Sequence, residues 1–317
     1  MTRNIELDIL KGLLIIFVVI GHTDIVIPYR FNMPAFFLIS GYLTKNYSFS
    51  MNKVFKFFVP YLCYSILFYL IFTPEPLLKN IIRTLYGGRL NTLVYSYPYW
   101  FINAFAIVNI IFGIFFDKSL KIGKVLNVNY TTIIFLFSYI LIHTHLFRIL
   151  PYPLPMSIDC ALGGYVFYYL GFKLKKVDLI NNRKYLTILI IPFAFIILNR
   201  FLDLNYRFNM KAMSYHSIWL DLLIPCSFVY LLYIISVLLK KISYISNLLV
   251  KVGSSSMTIF YIHAAILYIL KNEITTVMNV AITIVIGVVV HKLLTRFEFS
   301  RFLFLGQIKK RINPIRI

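Results

Sequence analysis

The sequence predicts an all-α polytopic membrane protein forming one domain, 1–317, and three observations predict it. The chain is 60% hydrophobic over 317 residues, with a mean hydropathy of +0.81, beyond the range of soluble globular domains. Runs of about twenty residues with few charges recur along the whole length, enough for each to cross a bilayer. The basic residues also fall into alternating connecting stretches, as cytoplasmic and outer loops do. Together these predict about ten transmembrane helices, a helical core over about 1–300, a basic cytoplasmic tail at 301–317, and both termini in the cytoplasm.

The spans are placed at 9–28, 33–45, 55–73, 99–116, 130–147, 154–172, 185–200, 217–239, 255–270 and 274–294. The first starts after Asp8 and carries Lys11 inside its opening turns. Those charges, and the missing small-residue cleavage site near His22–Asp24, argue for a retained helix over a signal peptide. The second is short and opens with Met33-Pro34, which suits a half-helix or a tilted one. With the N-terminus inside, 23 of the 32 Lys and Arg fall on the cytoplasmic side and nine on the outer side. A missed helix would scramble that alternation.

The net charge of +21 is therefore read as loop charge that orients the chain and meets anionic lipid, with no nucleic acid as partner. Cys63, Cys160 and Cys226 are far apart in apolar runs and show no metal or redox spacing, so they are read as small hydrophobes. The longest outer loop, 74–98, holds Tyr86-Gly87-Gly88-Arg89 and leads into Tyr97-Pro98-Tyr99-Trp100-Phe101. These aromatics fit either an interfacial belt or a sugar-stacking face.

Ionisable groups inside a bilayer are expensive and turn toward polar interiors. Asp8, Lys11, His22, Asp24, Asp159, Asp221, His263 and His291 are the candidates. On a helix Lys11 and His22 lie about 20° apart in angle and about 16 Å apart along the axis. Asp8 falls within about 60° of both, so Asp8, Lys11, Gly12 and His22 share one stripe. His22 fits general-base chemistry, since a neutral imidazole accepts a proton near pH 7. A structural histidine bonded to a neighbouring helix fits the spacing equally well. Asp8 and Lys11 form an i,i+3 pair or a cationic site for an anionic cosubstrate. His263 should reach the depth of His22, which suggests one shared cavity. His143, His145 and Arg148, with His216, read as interfacial surface rather than a metal site. No phosphate-binding loop, dinucleotide fingerprint, HExxH or GxSxG is present.

The opening stretch carries a resemblance. Arg3-x4-Asp8-x2-Lys11-Gly12, then Val18-Val19-Ile20-Gly21-His22 with ten residues between Lys11 and His22, then Phe31-Asn32-Met33-Pro34-Ala35-Phe36-Phe37-Leu38-Ile39-Ser40-Gly41-Tyr42, resembles the membrane-bound acyltransferase 3 family. It looks most like the fucose 4-O-acetylase branch. Weaker echoes are Trp100-Phe101 and the run from Val252 to His263. Two positions depart from the pattern: Lys11, where the family more often has Arg, and Asn32, where the branch usually has His.

The resemblance implies an O-acyltransferase in a bacterial inner (plasma) membrane. It implies transfer of an acyl group, usually acetyl, from acetyl-CoA as cosubstrate to a sugar hydroxyl of a surface polysaccharide or lipid-linked glycan. No metal and no bound cofactor is implied. His22 would be base or acyl relay, with Asp8 and Lys11 beside it in the catalytic set. Arg3 and Lys11 would meet the CoA phosphates. Asp24, Asn32, Ser40, Trp100, Tyr261 and His263 would line the cavity or hold the acceptor. From composition alone, a proton-coupled transporter or flippase fits ten helices with buried His and Asp as well.

Overall fold

The computed structural model describes residues 4–25, 31–44, 51–73, 76–87, 95–116, 118–122, 126–144, 146–149, 153–175, 177, 183–202, 206 and 208–307. Helix α1 spans Ile5–Ile20. It starts at an Asn4 cap whose side chain accepts from the Leu7 N–H at 3.1 Å, with Glu6 and Asp8 near its positive end. It stops eight residues before the predicted end, because Gly21 to Thr23 fold back onto the last turn. Helix α2, Asn32–Leu43, is short as predicted. Then come α3, Met51–Phe72, and α4, Leu77–Tyr86, which lies inside the predicted outer loop. The apolar side chains Leu78, Ile82 and Leu85 of α4 all point outward.

A turn at Tyr97–Tyr99 leads into α5, Trp100–Phe115. Strands β1, Ser119–Ile122, and β2, Leu126–Asn129, form an antiparallel ribbon with Ser119 opposite Asn129. Helices α6, Tyr130–His143, and α7, Leu146–Ile149, precede α8, Ile158–Leu174. The seventh predicted span is split: 183–189 is a tighter 3-10 turn and only α9, Ile190–Leu202, is α-helical. Helix α10 is Leu220–Leu239. Helix α11, Ser243–Ser254, occupies a stretch read as loop and meets α12, Ser256–Leu270, at a bend of 77°. Helix α13 is Thr276–Leu294. Helix α14, Glu298–Leu305, folds back on α3, so the first five residues of the stretch read as tail lie in a packed helix. Its last turn is closed by Gly306 at φ +61°, whose backbone sits against the Lys56 carbonyl; residues 308–317 lie outside the described residues.

Among the described residues four helices are long and apolar enough to cross a membrane: 54–72, 97–115, 220–239 and 276–294. The bent pair α11–α12 makes a fifth if counted as one span. Helices α1 and α2, with 16 and 12 residues, fall short of the length needed. Large apolar side chains on α3, α9 and α13 face outward, among them Leu70, Phe201 and Val277. That outer face suits lipid.

The core centres on α8, which packs against α2, α5 and α6. Glycines allow the closest approaches. A Cβ at Gly41 would lie 1.9 Å from the Tyr168 carbonyl oxygen, and one at Gly171 would lie 1.9 Å from that of Leu38. On the other side α1 meets α11, where Gly12 faces Leu249 and Gly253 faces Asp8. The glycines of both opening motifs are thus helix contacts.

Candidate active site

The end of α1 builds the site. A helix C-terminus leaves four carbonyls without intrahelical partners, and here all four are taken. The Gly21 N–H donates to Phe17 O at 2.9 Å, the His22 N–H to Val19 O at 3.1 Å, and the Thr23 hydroxyl to Ile20 O at 2.7 Å. The fourth, Val18 O, accepts from His22 Nδ1 at 2.8 Å. A carbonyl only accepts, so Nδ1 carries the proton and Nε2 of the neutral ring keeps the lone pair. The helix end thereby fixes both the orientation and the tautomer of His22.

His263 stands beside it. The two rings lie 4.8 Å apart, centroid to centroid, at 75°. The Nδ1 of His263 faces Phe260 O at 2.7 Å and Ile259 O at 3.2 Å, so it too is the protonated nitrogen. The residue is fully buried, and among the described residues its Nε2 has no hydrogen-bond partner.

Two cavities meet at His22. One, of about 410 Å3, is lined by His22, Asp24, Met33, Pro34, Trp100 and Lys211 among others. The second, of about 620 Å3, runs toward α12 and α13 past Leu267, Tyr268, Lys271, Asn272 and Asn279. His22, Thr23, Asp24 and Tyr97 line both. Their walls mix aromatic faces, amides and a few charges, a lining that suits a polar organic ligand.

The loop at 206–217 forms part of the first wall and is tied down by Asp221. That buried carboxylate accepts from the Tyr206 hydroxyl at 2.7 Å and from the backbone N–H groups of His216 and Ser217 at 2.7 and 3.1 Å. His143 Nε2 lies 3.3 Å from Oδ2, the oxygen that takes the two backbone N–H groups. His143 was read as interfacial surface; here it belongs to this buried knot. Held in this way, the loop brings Lys211 to the cavity, where its ammonium donates to Tyr97 O at 3.3 Å.

The remaining candidates are divided. Asp24 and Trp100 line the cavities with His22. Tyr261 is buried in an aromatic cluster, stacked on Tyr64 at 4.4 Å, while its backbone carbonyl accepts from Tyr99. Asn32 is buried at the start of α2, and among the described residues neither atom of its amide has a hydrogen-bond partner. Ser40 lies at the far end of α2, where its carbonyl accepts from Thr44, which in turn bonds Tyr168. Asp8 and Lys11 form an ion pair at 3.3 Å, at the opposite end of α1 from His22. Arg3 lies outside the described residues. Among the described residues no three His, Cys, Asp or Glu side chains gather as a metal site.

Lys211 and Lys271 had figured in the sequence only as loop charges, and no spacing pointed to them. Asn279 had a signal: an amide within an apolar helix needs a partner, and it donates to Leu267 O at 3.1 Å.

The comparison with protein families decides the identity. A family described as an acyltransferase domain, acyltransferase 3, matches residues 4–291. The chain belongs to the acyltransferase 3 family. No curated protein and no solved structure matches it. As a member of this family it is a membrane acyltransferase, and it takes an acyl donor and an acceptor. The matched region runs from the α1 cap through α13 and so includes both histidines and the walls of both cavities.

Proposed function

We propose that this chain moves an acetyl group from acetyl-CoA, entering at the cytoplasmic end of α1, to a sugar hydroxyl of a surface polysaccharide or lipid-linked glycan, in the manner of the fucose 4-O-acetylase branch. The observation that carries this reading is the position of His22. Its Nδ1 is committed to Val18 O, so Nε2 holds the basic lone pair, and the residue lines both cavities. Tyr97 and Trp100 offer faces on which a sugar ring stacks.

In this mechanism His22 Nε2 takes the proton of the acceptor hydroxyl as its oxygen attacks the thioester carbonyl. The C–S bond then breaks, and the departing thiolate recovers the proton as CoA. Passage of the acetyl group through His22 itself is the two-step version of the same transfer. Lys11, with Arg3 nearby in sequence, supplies positive charge for the CoA phosphates at the other end of α1. A cytoplasmic N-terminus is part of this reading, and the pairing of charges across the helix ends favours it. Lys240 pairs with Glu6 and Lys175 with the Thr44 carbonyl, each joining stretches assigned to the cytoplasm. Lys211 and Lys271 stand at the His22 cavities, and both belong to the outer stretches of the charge tally. Labelling of Lys79→Cys and Lys292→Cys from each side of the membrane tests it; labelling from the same side would overturn it.

The functional test uses purified protein in nanodiscs with acetyl-CoA and de-O-acetylated surface glycan from the source cell. Release of CoA thiol and acetylation of the glycan are both measured. His22→Ala should lower transfer by about 10²–10⁴-fold, the scale of a lost general base. Transfer unchanged by that substitution would sink the assignment. Movement of glycan across a vesicle membrane without acetyl-CoA would favour a transporter.

A further inference from the structure

His263 lies behind His22, sealed from the cavities that His22 lines. Both rings donate through Nδ1 to carbonyls of their own helical turns, so both keep a lone pair on Nε2. A buried lone pair without a partner is uncommon and calls for an explanation. The other ring against His263 is Phe260, at 5.6 Å between centroids. The polar event nearest to it is therefore the gain of a proton by His22. Two imidazolium ions 4.8 Å apart would repel strongly in so dry a place. The pair can take up one added proton, and that proton belongs to the pair. The other charged or titratable groups facing it are Asp24 on the turn after α1, Lys211 on the 206–217 loop, Lys271 after α12, and Tyr97 before α5.

We propose that His263 is a positioning residue for His22. It stays neutral and offers its electron-rich Nε2 side to His22 when His22 takes the acceptor's proton, then releases that support once the thiolate has carried the proton away. The inference rests on the acyl-transfer reading of His22 and names the group that lets a base work in an apolar wall. No atom of His263 touches a substrate.

The test is the pH dependence of kcat for acetyl transfer to glycan, in nanodiscs, for His263→Leu, His263→Phe and His263→Gln. The leucine and phenylalanine variants fill the space without a lone pair; the carboxamide of glutamine restores an acceptor. For the two apolar variants kcat should fall about 10–100-fold, the scale of a lost supporting partner, with KM for acetyl-CoA unchanged. Their acid limb should move to lower pH, because a charged His22 is less well supported. His263→Gln should recover most of kcat. An apolar variant with wild-type kcat, or a glutamine variant as impaired as leucine with a wild-type pH profile, would overturn the proposal. If neither apolar variant folds, His263→Met, which keeps the volume without a nitrogen lone pair, decides instead: a lowered kcat with the acid limb at lower pH supports the pairing, and a wild-type kcat and limb refute it. Retained transfer in His22→Ala would refute the base assignment itself, an outcome distinct from failure of the pairing.

Discussion

Gly41→Ala should damage this protein more than any change at its neighbour Ser40. The added methyl would lie 1.9 Å from the Tyr168 carbonyl oxygen and 2.8 Å from its carbon. A carbon normally approaches a carbonyl oxygen to about 3.3–3.6 Å, so α2 and α8 would have to part by about 1.5 Å. The obstacle is backbone, which cannot swing aside, and Gly171 packs against Leu38 in the same reciprocal way. Alanine gains about 1 kcal/mol of helix propensity over glycine, against about 1–3 kcal/mol for overpacking. With backbone as the obstacle, overpacking falls at the upper end of that range, and the net is a loss of about 2 kcal/mol. Because α2 also presents Met33 and Pro34 to the cavity, KM for the acceptor should rise as well. The assay is a thermal melt in detergent followed by size-exclusion, with acetyl transfer measured in parallel. Ser40→Ala is the control: Tyr168 keeps Thr44 and Asn109 as partners, and the change should stay within about 0.5 kcal/mol. A Gly41→Ala protein that melts and turns over like wild type would refute the packing reading, as would a Ser40→Ala protein that is the worse of the two.

Asp221→Asn should loosen the 206–217 loop, because the amide has one acceptor oxygen for contacts that the carboxylate shares between two. We expect faster proteolysis within the loop and a higher acceptor KM, with KM for acetyl-CoA unaffected; protection equal to wild type would remove the loop-anchoring role. Lys11→Gln should raise KM for acetyl-CoA severalfold, leave kcat nearly unchanged and flatten the salt dependence of binding. A fall in kcat alone would place Lys11 in the chemistry instead.

The helical, apolar character of the chain is legible from composition, and the kinship of its first stretch from the Lys11-to-His22 spacing. Where helices end is not. The hydropathic run continues through Ile25, yet α1 stops at Ile20 because Gly21, His22 and Thr23 satisfy its last carbonyls. Helix α11 had a readable apolar spacing in Ile245, Leu248, Leu249 and Val252, hidden by the Ser, Asn and Lys residues among them. The shared stripe puts Lys11 and His22 about 16 Å apart along one helix, and the structure has them at its two ends. His263 was placed near His22 by depth alone, and the 4.8 Å ring contact makes that specific. Lys211 was out of reach of any pattern, because a loop anchored by Asp221 brings it to the cavity.

The shortness of α1 and α2 bears on where the glycan must travel. At 16 and 12 residues they are about 24 and 18 Å long, against a hydrocarbon layer of about 30 Å. Both are packed among longer neighbours, α10 at 20 residues among them, so the shortfall opens as a hollow in the protein at the end of α1. His22 then stands on the floor of a depression reached from the aqueous side, with Trp100 and Lys211 along its banks. On the acyl-transfer reading a polar acceptor need never dissolve among lipid tails, and what travels through oily territory is the acyl unit on its thioester arm.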